Sequence, residues 1–166
     1  CYKVENYLNV TLTPSNPILH TTRLYSMFKS SLSKTYKIKF YEEWNNEASE
    51  MLFGCDNELQ LLCNSLKEIN LENVISLKKH YNANTIQEFT DKIQSIKAFK
   101  GIEAPMVKNK EIYSVDWKSR YFEEDFPYGL CIVKGFCEIM KLNTPYIDSI
   151  LYWYEKEQKL EYYKNR

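Results

Sequence analysis

Apolar residues recur every three or four positions along most of this chain, and that spacing predicts a domain made of helices. From Asn46 to Ile69 the stripe is Ala48, Met51, Leu52, Cys55, Leu59, Leu62, Leu66 and Ile69. Asn16 and Pro17 read as N-cap and first helical position of an earlier helix. It runs to about Ser31, with Leu24, Met27, Phe28 and Leu32 on its buried side. A shorter helix is expected from Leu71 to Tyr81, turning Val74, Leu77 and Tyr81 inward. Thr85 caps the next, whose inner face is Ile86, Phe89, Ile93 and Ile96. Pro127 is tolerated only in a first turn, so a helix starts near Asp125 as N-cap and carries Phe126, Leu130, Val133, Cys137 and Met140. Thr144 and Pro145 open the last helix, with Ile147, Ile150, Leu151 and Tyr154 as its stripe, and a charged tail from Glu155 to Arg166 is expected to fray.

Three stretches do not follow the helical period. Residues 7–13 alternate, with Leu8, Val10 and Leu12 on one side, and read as a short N-terminal strand or a connector. Residues 33–45 are polar and aromatic and read as a loop, with a short extended piece at Tyr36–Tyr41. Residues 98–119 hold Gly101 and Pro105 and read as a long loop, a feature that in a compact domain usually serves function or lacks order. Gly54, Gly129 and Gly135 fall inside helical patterns; Gly54 marks a close contact or a kink, and Gly129 and Gly135 suit close approach by another backbone or a ligand. The expectation is an all-α, multi-helix fold of six helices over 1–166 as a single domain, with few or no strands and no internal repeat.

Composition narrows the function classes. The 166 residues carry 22 basic and 22 acidic side chains, so the net charge is zero and nothing suggests nucleic-acid binding. No apolar run approaches the roughly eighteen residues that span a membrane. The first residues lack the basic start and apolar stretch of a secretory signal, and the cytoplasm is the default location. Five cysteines (Cys1, Cys55, Cys63, Cys131 and Cys137) include no C-x-x-C pair and read as free thiols in a reducing compartment. Two histidines, neither at zinc spacing, make a metal site improbable. His80, beside Lys78 and Lys79 at a helix C-terminus, is accounted for by the exposed carbonyls there.

Chemistry concentrates in Arg120-Tyr121-Phe122-Glu123-Glu124-Asp125-Phe126-Pro127-Tyr128-Gly129-Leu130, where a guanidinium and several carboxylates precede a helix. Arg120 is expected on the loop leading into that helix. The elements Asn16-Pro17-x-x-His20, Ala104-Pro105, Arg120-Tyr121-x-x-Glu124-Asp125-x-Pro127-x-Gly129-Leu130 and Thr144-Pro145-x-x-Asp148 follow in that order. Their succession, covering nearly the whole chain, resembles the C-terminal catalytic domain of the octopine/nopaline (opine) dehydrogenases. The resemblance implies a helical fold like the C-terminal domain of 6-phosphogluconate dehydrogenase. It implies an enzyme that condenses a 2-oxo acid with an amino acid reductively, using NAD or NADP held by an N-terminal Rossmann domain. It also implies that His20 is the catalytic histidine, Asp125 its partner and Arg120 the substrate-carboxylate ligand, with Asn16, Trp44 and Tyr121 as candidate pocket residues. Two departures stand out: Thr21 follows the histidine where the family commonly has proline, and Trp44 replaces a glycine after the Tyr-x-Glu element at Tyr41–Glu43.

The residue chemistry agrees. Hydride addition to a C=O or C=N carbon leaves charge on the heteroatom, which a positioned imidazolium can neutralise, an effect worth about 10²–10⁴-fold. A carboxylate on the far ring nitrogen fixes the tautomer, and a planar guanidinium grips a carboxylate through two parallel hydrogen bonds. With four glycines at 54, 101, 129 and 135, no G-x-G-x-x-G dinucleotide fingerprint can form. Together with that absence, the resemblance implies that the chain is the substrate-side half of a larger dehydrogenase, expected alone to bind no dinucleotide tightly and to turn over nothing. The alternatives are a reductase of simple 2-oxo acids and a non-catalytic helical interaction module.

Overall fold

The computed structural model describes residues 3–162. The thiol at Cys1 and the last four residues of the charged tail lie outside the described residues. Helices dominate, as the spacing predicts. They are α1 (Leu8–Thr11), α2 (Asn16–Phe28), α3 (Asn46–Ser65), α4 (Leu77–Tyr81), α5 (Ile86–Ser95), α6 (Arg120–Glu123), α7 (Cys131–Ile139) and α8 (Pro145–Gln158). α3 is the central rod: α2, α5, α7 and α8 all pack against it. Its residues Leu52, Leu59 and Leu62 are fully buried, as are Leu24 and Phe28 of α2 and Ile147, Ile150 and Leu151 of α8.

The caps explain where several helices start. Asn45 accepts from the Ala48 N–H at the head of α3, and Thr85 with Glu88 forms a reciprocal capping box at the head of α5. α2 begins one residue earlier than expected, with Ser15 as N-cap, Asn16 first and Pro17 second. α8 continues through Gln158, so the expected fraying from Glu155 is corrected: Glu155 to Gln158 are helical and Lys159 closes the helix at φ +53°.

Residues 7–13 are not a strand. Leu8 and Leu12, four apart, are buried on one side of the single turn α1, while Val10 is 69% exposed. The Leu71–Tyr81 pattern yields a helix only from Leu77, because Asp56 on α3 takes the Leu77 N–H at 2.8 Å and fixes the start there. The stretch 98–119 contains a hairpin, β2 (Met106–Asn109) and β3 (Ile112–Val115), turning at Lys110 with φ +55°. β3 also pairs antiparallel with the short β1 (Ser33–Lys34), giving the order β1-β3-β2. Beyond the sheet, an antiparallel bridge joins Lys39 and Glu103, with Phe40 N–H donating to the Ile102 carbonyl at 2.8 Å. These bonds tie segment 38–41 to the chain that leads into the hairpin.

Among the described residues, no helix is long and apolar enough to cross a membrane.

Candidate active site

The site forms where the first turns of α2 meet the segment between α6 and α7. Pro17, second in α2, requires no N–H partner, and Thr22 returns its hydroxyl to the Ile18 carbonyl at 2.7 Å. His20 follows one turn in, 9% exposed. Three residues further, Arg23 is 2% exposed, and its guanidinium donates to the carbonyls of Phe40 at 2.8 Å and Glu43 at 2.7 Å. Burial pulls its pKa down to about 10 against the attraction of Glu43. Arg23 thus clamps the backbone of segment 40–43 to the helix that bears His20.

On the other side, the chain does not start a regular helix at Asp125. Residues Phe126–Leu130 form a π turn, closed by Leu130 N–H donating to the Asp125 carbonyl at 2.9 Å, before α7 begins. Asp125 has helical backbone angles and its side chain caps nothing, which corrects the expected N-cap. The carboxylate instead reaches across the fold, where its Oδ2 lies 2.8 Å from His20 Nδ1, although 105 residues separate the two. Gly129 makes this approach feasible. A Cβ there would sit 2.9 Å from Pro17 side-chain carbons, closer than real Cβ contacts allow, so only glycine lets the π turn rest against the head of α2.

The far nitrogen of the ring is also engaged. His20 Nε2 lies 2.8 Å from the hydroxyl of Tyr41, a residue 5% exposed. With a carboxylate holding the proton at Nδ1, neutral Nε2 accepts and the Tyr41 hydroxyl donates; once Nε2 carries a proton, it donates to the same oxygen. Burial pushes the Tyr41 phenol well above its ordinary pKa, so it stays protonated near neutral pH. Around the imidazole stand Tyr121, edge-on with centroids 4.7 Å apart, and Phe40, edge-on at 5.7 Å. Phe40 and Tyr121 stack on each other at 5.0 Å.

The structure therefore brings His20, Asp125 and Tyr121 together and leaves the other named residues apart. Arg120 does not lie on a loop but opens α6. Its side chain is 73% exposed, with Nε 3.7 Å from Glu124, a surface pair of little energetic weight. It stands one turn ahead of Asp125 with its guanidinium toward solvent. Asn16 is exposed in the first turn of α2, one turn before His20. Trp44 is not a pocket residue: it is 1% exposed, and its indole N–H donates to Ser49 Oγ at 2.9 Å beneath the Tyr41 ring. Tyr41 is the residue the sequence argument missed. It sits in the Tyr-x-Glu element already singled out, but nothing local to that element indicates that its hydroxyl meets His20.

Two ligand classes can be tested against these residues. Among those described, no cluster of His, Cys, Asp and Glu could hold a metal ion. A dinucleotide needs a glycine-rich turn for its phosphates, and the glycines are otherwise occupied. Gly54 lies under the Tyr146 ring, Gly129 lies against Pro17, Gly101 makes an isolated turn at φ +77°, and Gly135 is alone in α7. These residues do not form a nicotinamide dinucleotide site.

Residues 3–157 match the family model described as "NAD/NADP octopine/nopaline dehydrogenase, alpha-helical domain". The chain is 28% identical over 168 residues to tauropine dehydrogenase of Arabella iricolor, covering 93% of this chain and 42% of that protein. It is 28% identical over 169 residues to opine dehydrogenase of Haliotis discus hannai, covering 93% and 41% respectively. Among solved structures, octopine dehydrogenase with NADH and L-arginine superposes with a TM-score of 0.84 at 21% identity, over 98% of this chain and 43% of that one. The same enzyme with NADH and pyruvate gives 0.83 over 98% and 42%. The helical fold is thus shared, and the chain spans well under half the length of each of these proteins.

Proposed function

The chain belongs to the octopine/nopaline dehydrogenase family, as its alpha-helical domain, and from that premise we propose that it is the substrate-side half of an oxidoreductase that joins a 2-oxo acid to an amino acid. The observation that carries this reading is the 2.8 Å contact between His20 Nδ1 and Asp125. Asp125 accepts the Nδ1–H bond and thereby fixes which nitrogen exchanges a proton. Nε2 then gives a proton to, or takes one from, the heteroatom of the substrate's C=O or C=N group. Phe40, Tyr41 and Tyr121 keep bulk water off the ring, so the proton is not lost to solvent. Arg120, whose exposed guanidinium makes a weak surface contact with Glu124, would donate to a substrate carboxylate, and burial between two domains would strengthen that pairing. A bound NADH or NADPH supplies the hydride, and the glycine-rich domain that such a cofactor requires lies in another part of the protein.

The test uses the whole protein, dinucleotide-binding domain included, and follows NADH or NADPH oxidation with pyruvate and a panel of amino acids. L-arginine is the first, because the octopine dehydrogenase structures hold pyruvate and L-arginine. His20→Ala should lower turnover by about 10²–10⁴-fold with the fold intact. Near-normal turnover in His20→Ala would defeat the assignment. Equal rates with and without the amino acid would replace it with reduction of a simple 2-oxo acid.

A further inference from the structure

Tyr41 is held far more firmly than a loop residue needs to be. Its ring stacks on Phe99 with centroids 4.1 Å apart and 19° between planes, and lies nearly parallel to Trp44 at 6.4 Å. Its backbone neighbours are fixed twice: by the Arg23 guanidinium on the carbonyls of Phe40 and Glu43, and by the Phe40 N–H on the Ile102 carbonyl. Arg23 and His20 sit on the same helix, so the clamp sets the phenol directly against the imidazole it touches. Only one polar atom of Tyr41's side chain exists, and it is aimed at Nε2.

We propose that Tyr41 is the positioning residue of the proton-transfer group, its hydroxyl holding Nε2 of His20 while Asp125 holds Nδ1. The inference rests on the reading of His20 given above and deepens it. A ring bonded at one nitrogen can still rotate about that bond; a ring bonded at both cannot. The hydroxyl is suited to the task because it can donate to neutral Nε2 and accept from protonated Nε2, so it holds the ring in either state between transfers; Nε2 makes one hydrogen bond at a time, and the hydroxyl gives up that position when the substrate heteroatom arrives. It does not itself ionise: the phenol enters and leaves each cycle protonated, and the transferred proton moves between Nε2 and the substrate heteroatom. Tyr41 therefore acts through His20 and does not need to touch substrate.

The experiment compares three variants of the whole protein, using the oxo acid and amino acid pair that gives the fastest reaction. Tyr41→Phe keeps the ring and its stacking but removes the oxygen. Turnover should fall about 10- to 100-fold, as when a group orienting a reacting residue is lost. The KM values should stay within about twofold, because no substrate contact is removed. The solvent deuterium isotope effect on turnover should rise as proton transfer becomes slower. Phe99→Leu removes the stacking partner and keeps the hydroxyl; it should leave turnover within about threefold and the isotope effect unchanged. If Phe99→Leu costs as much as Tyr41→Phe, or if the isotope effect stays flat in Tyr41→Phe, the residue is merely structural and the proposal is overturned. His20→Ala separates the two levels. Impaired His20→Ala beside normal Tyr41→Phe rejects this inference alone, while normal His20→Ala removes the reading beneath it.

Discussion

Two of the places where the domain buries ionisable side chains use them in opposite ways. At the seam of α3 with α7 and α8, each charge is taken up by the backbone or by another side chain. Glu58 accepts the N–H groups of Tyr146 and Ile147 at 2.8 and 2.9 Å, satisfying the open end of α8. Lys134 donates to Thr144 Oγ1 at 2.8 Å and reaches Asp148 Oδ1 at 2.7 Å. At the seam of α2 with the π turn, Asp125 sits at the start of a helical segment and caps nothing. Its carboxylate is left for an imidazole instead. A carboxylate that caps a neighbouring helix start contributes stability; one that caps nothing is left to hold an imidazole. The π turn makes the second arrangement possible, because its backbone continues from α6 with Asp125 already in helical geometry.

The widest separation between the two seams comes from a pair of substitutions in the whole protein. Asp125→Asn preserves shape but presents a group that can leave the ring in the wrong tautomer. Turnover should drop about 10²–10⁴-fold, with the unfolding midpoint nearly unmoved. Glu58→Ala should do the reverse. Two N–H groups at a partly buried helix start lose their acceptor, which costs about 2–5 kcal/mol of stability while turnover per folded molecule stays normal. Thermal unfolding and steady-state rates on both variants decide it. Comparable losses of rate in the two would erase the distinction.

A smaller effect probes the geometry that brings the site seam together. In Gly129→Ala the new methyl meets Pro17 at 2.9 Å and must push the π turn away from α2. Overpacking of this kind costs about 1–3 kcal/mol. Because the displaced segment carries Asp125, turnover should fall as well. In Gly135→Ala the methyl meets open space, so neither quantity should move beyond the small gain expected from a better helix former. Equal behaviour of the two glycine variants would detach the π turn from the site.

These contrasts also show how far the sequence could be read. α2, α3, α5 and α8 were legible because their stripes are long and their starts carry Pro17, Asn45, Thr85 with Glu88, and Pro145. α1 was not: over so short a stretch the alternation of Leu8, Val10 and Leu12 fits a strand as well as one helical turn, and burial of Leu8 and Leu12 decides for the turn. The hairpin was hidden because its strands are four residues long and Lys110, which takes the positive φ, is not a residue that marks a hairpin turn. Caps misled in a consistent direction. Asp125 and Thr144 both looked like local caps, yet Thr144 bonds Lys134, Glu58 from α3 caps α8, and Asp125 bonds His20. Local rules identify which residues are suited to capping, and only the tertiary contacts settle which of them do it. The same limit hid Tyr41, whose role depends on a contact with His20 across 21 residues and on a clamp from Arg23.

The last effect concerns pH and belongs to the contact of α3 with α4, away from the His20 seam. Asp56 of α3 is fully buried and accepts the Leu77 N–H, and burial raises its pKa from 3.8 to about 6 despite that bond. Between those two values the folded protein holds a proton that the unfolded chain has released, so the folded state binds more protons and stability falls as pH rises. Above about pH 6 both states are ionised and the penalty is constant. Asp56→Asn can still accept the Leu77 N–H but has nothing to titrate. The stability of the variant relative to the wild type should therefore increase by about 1–3 kcal/mol between pH 4 and pH 7, as followed by urea unfolding at each pH. Turnover at pH 7 should be unaffected, since Asp56 contacts neither His20 nor Asp125. A flat stability difference across that window would mean that the carboxylate is solvated in the folded protein, and a change in turnover would mean that this contact and the His20 seam are coupled through α3, which packs against both α4 and α2.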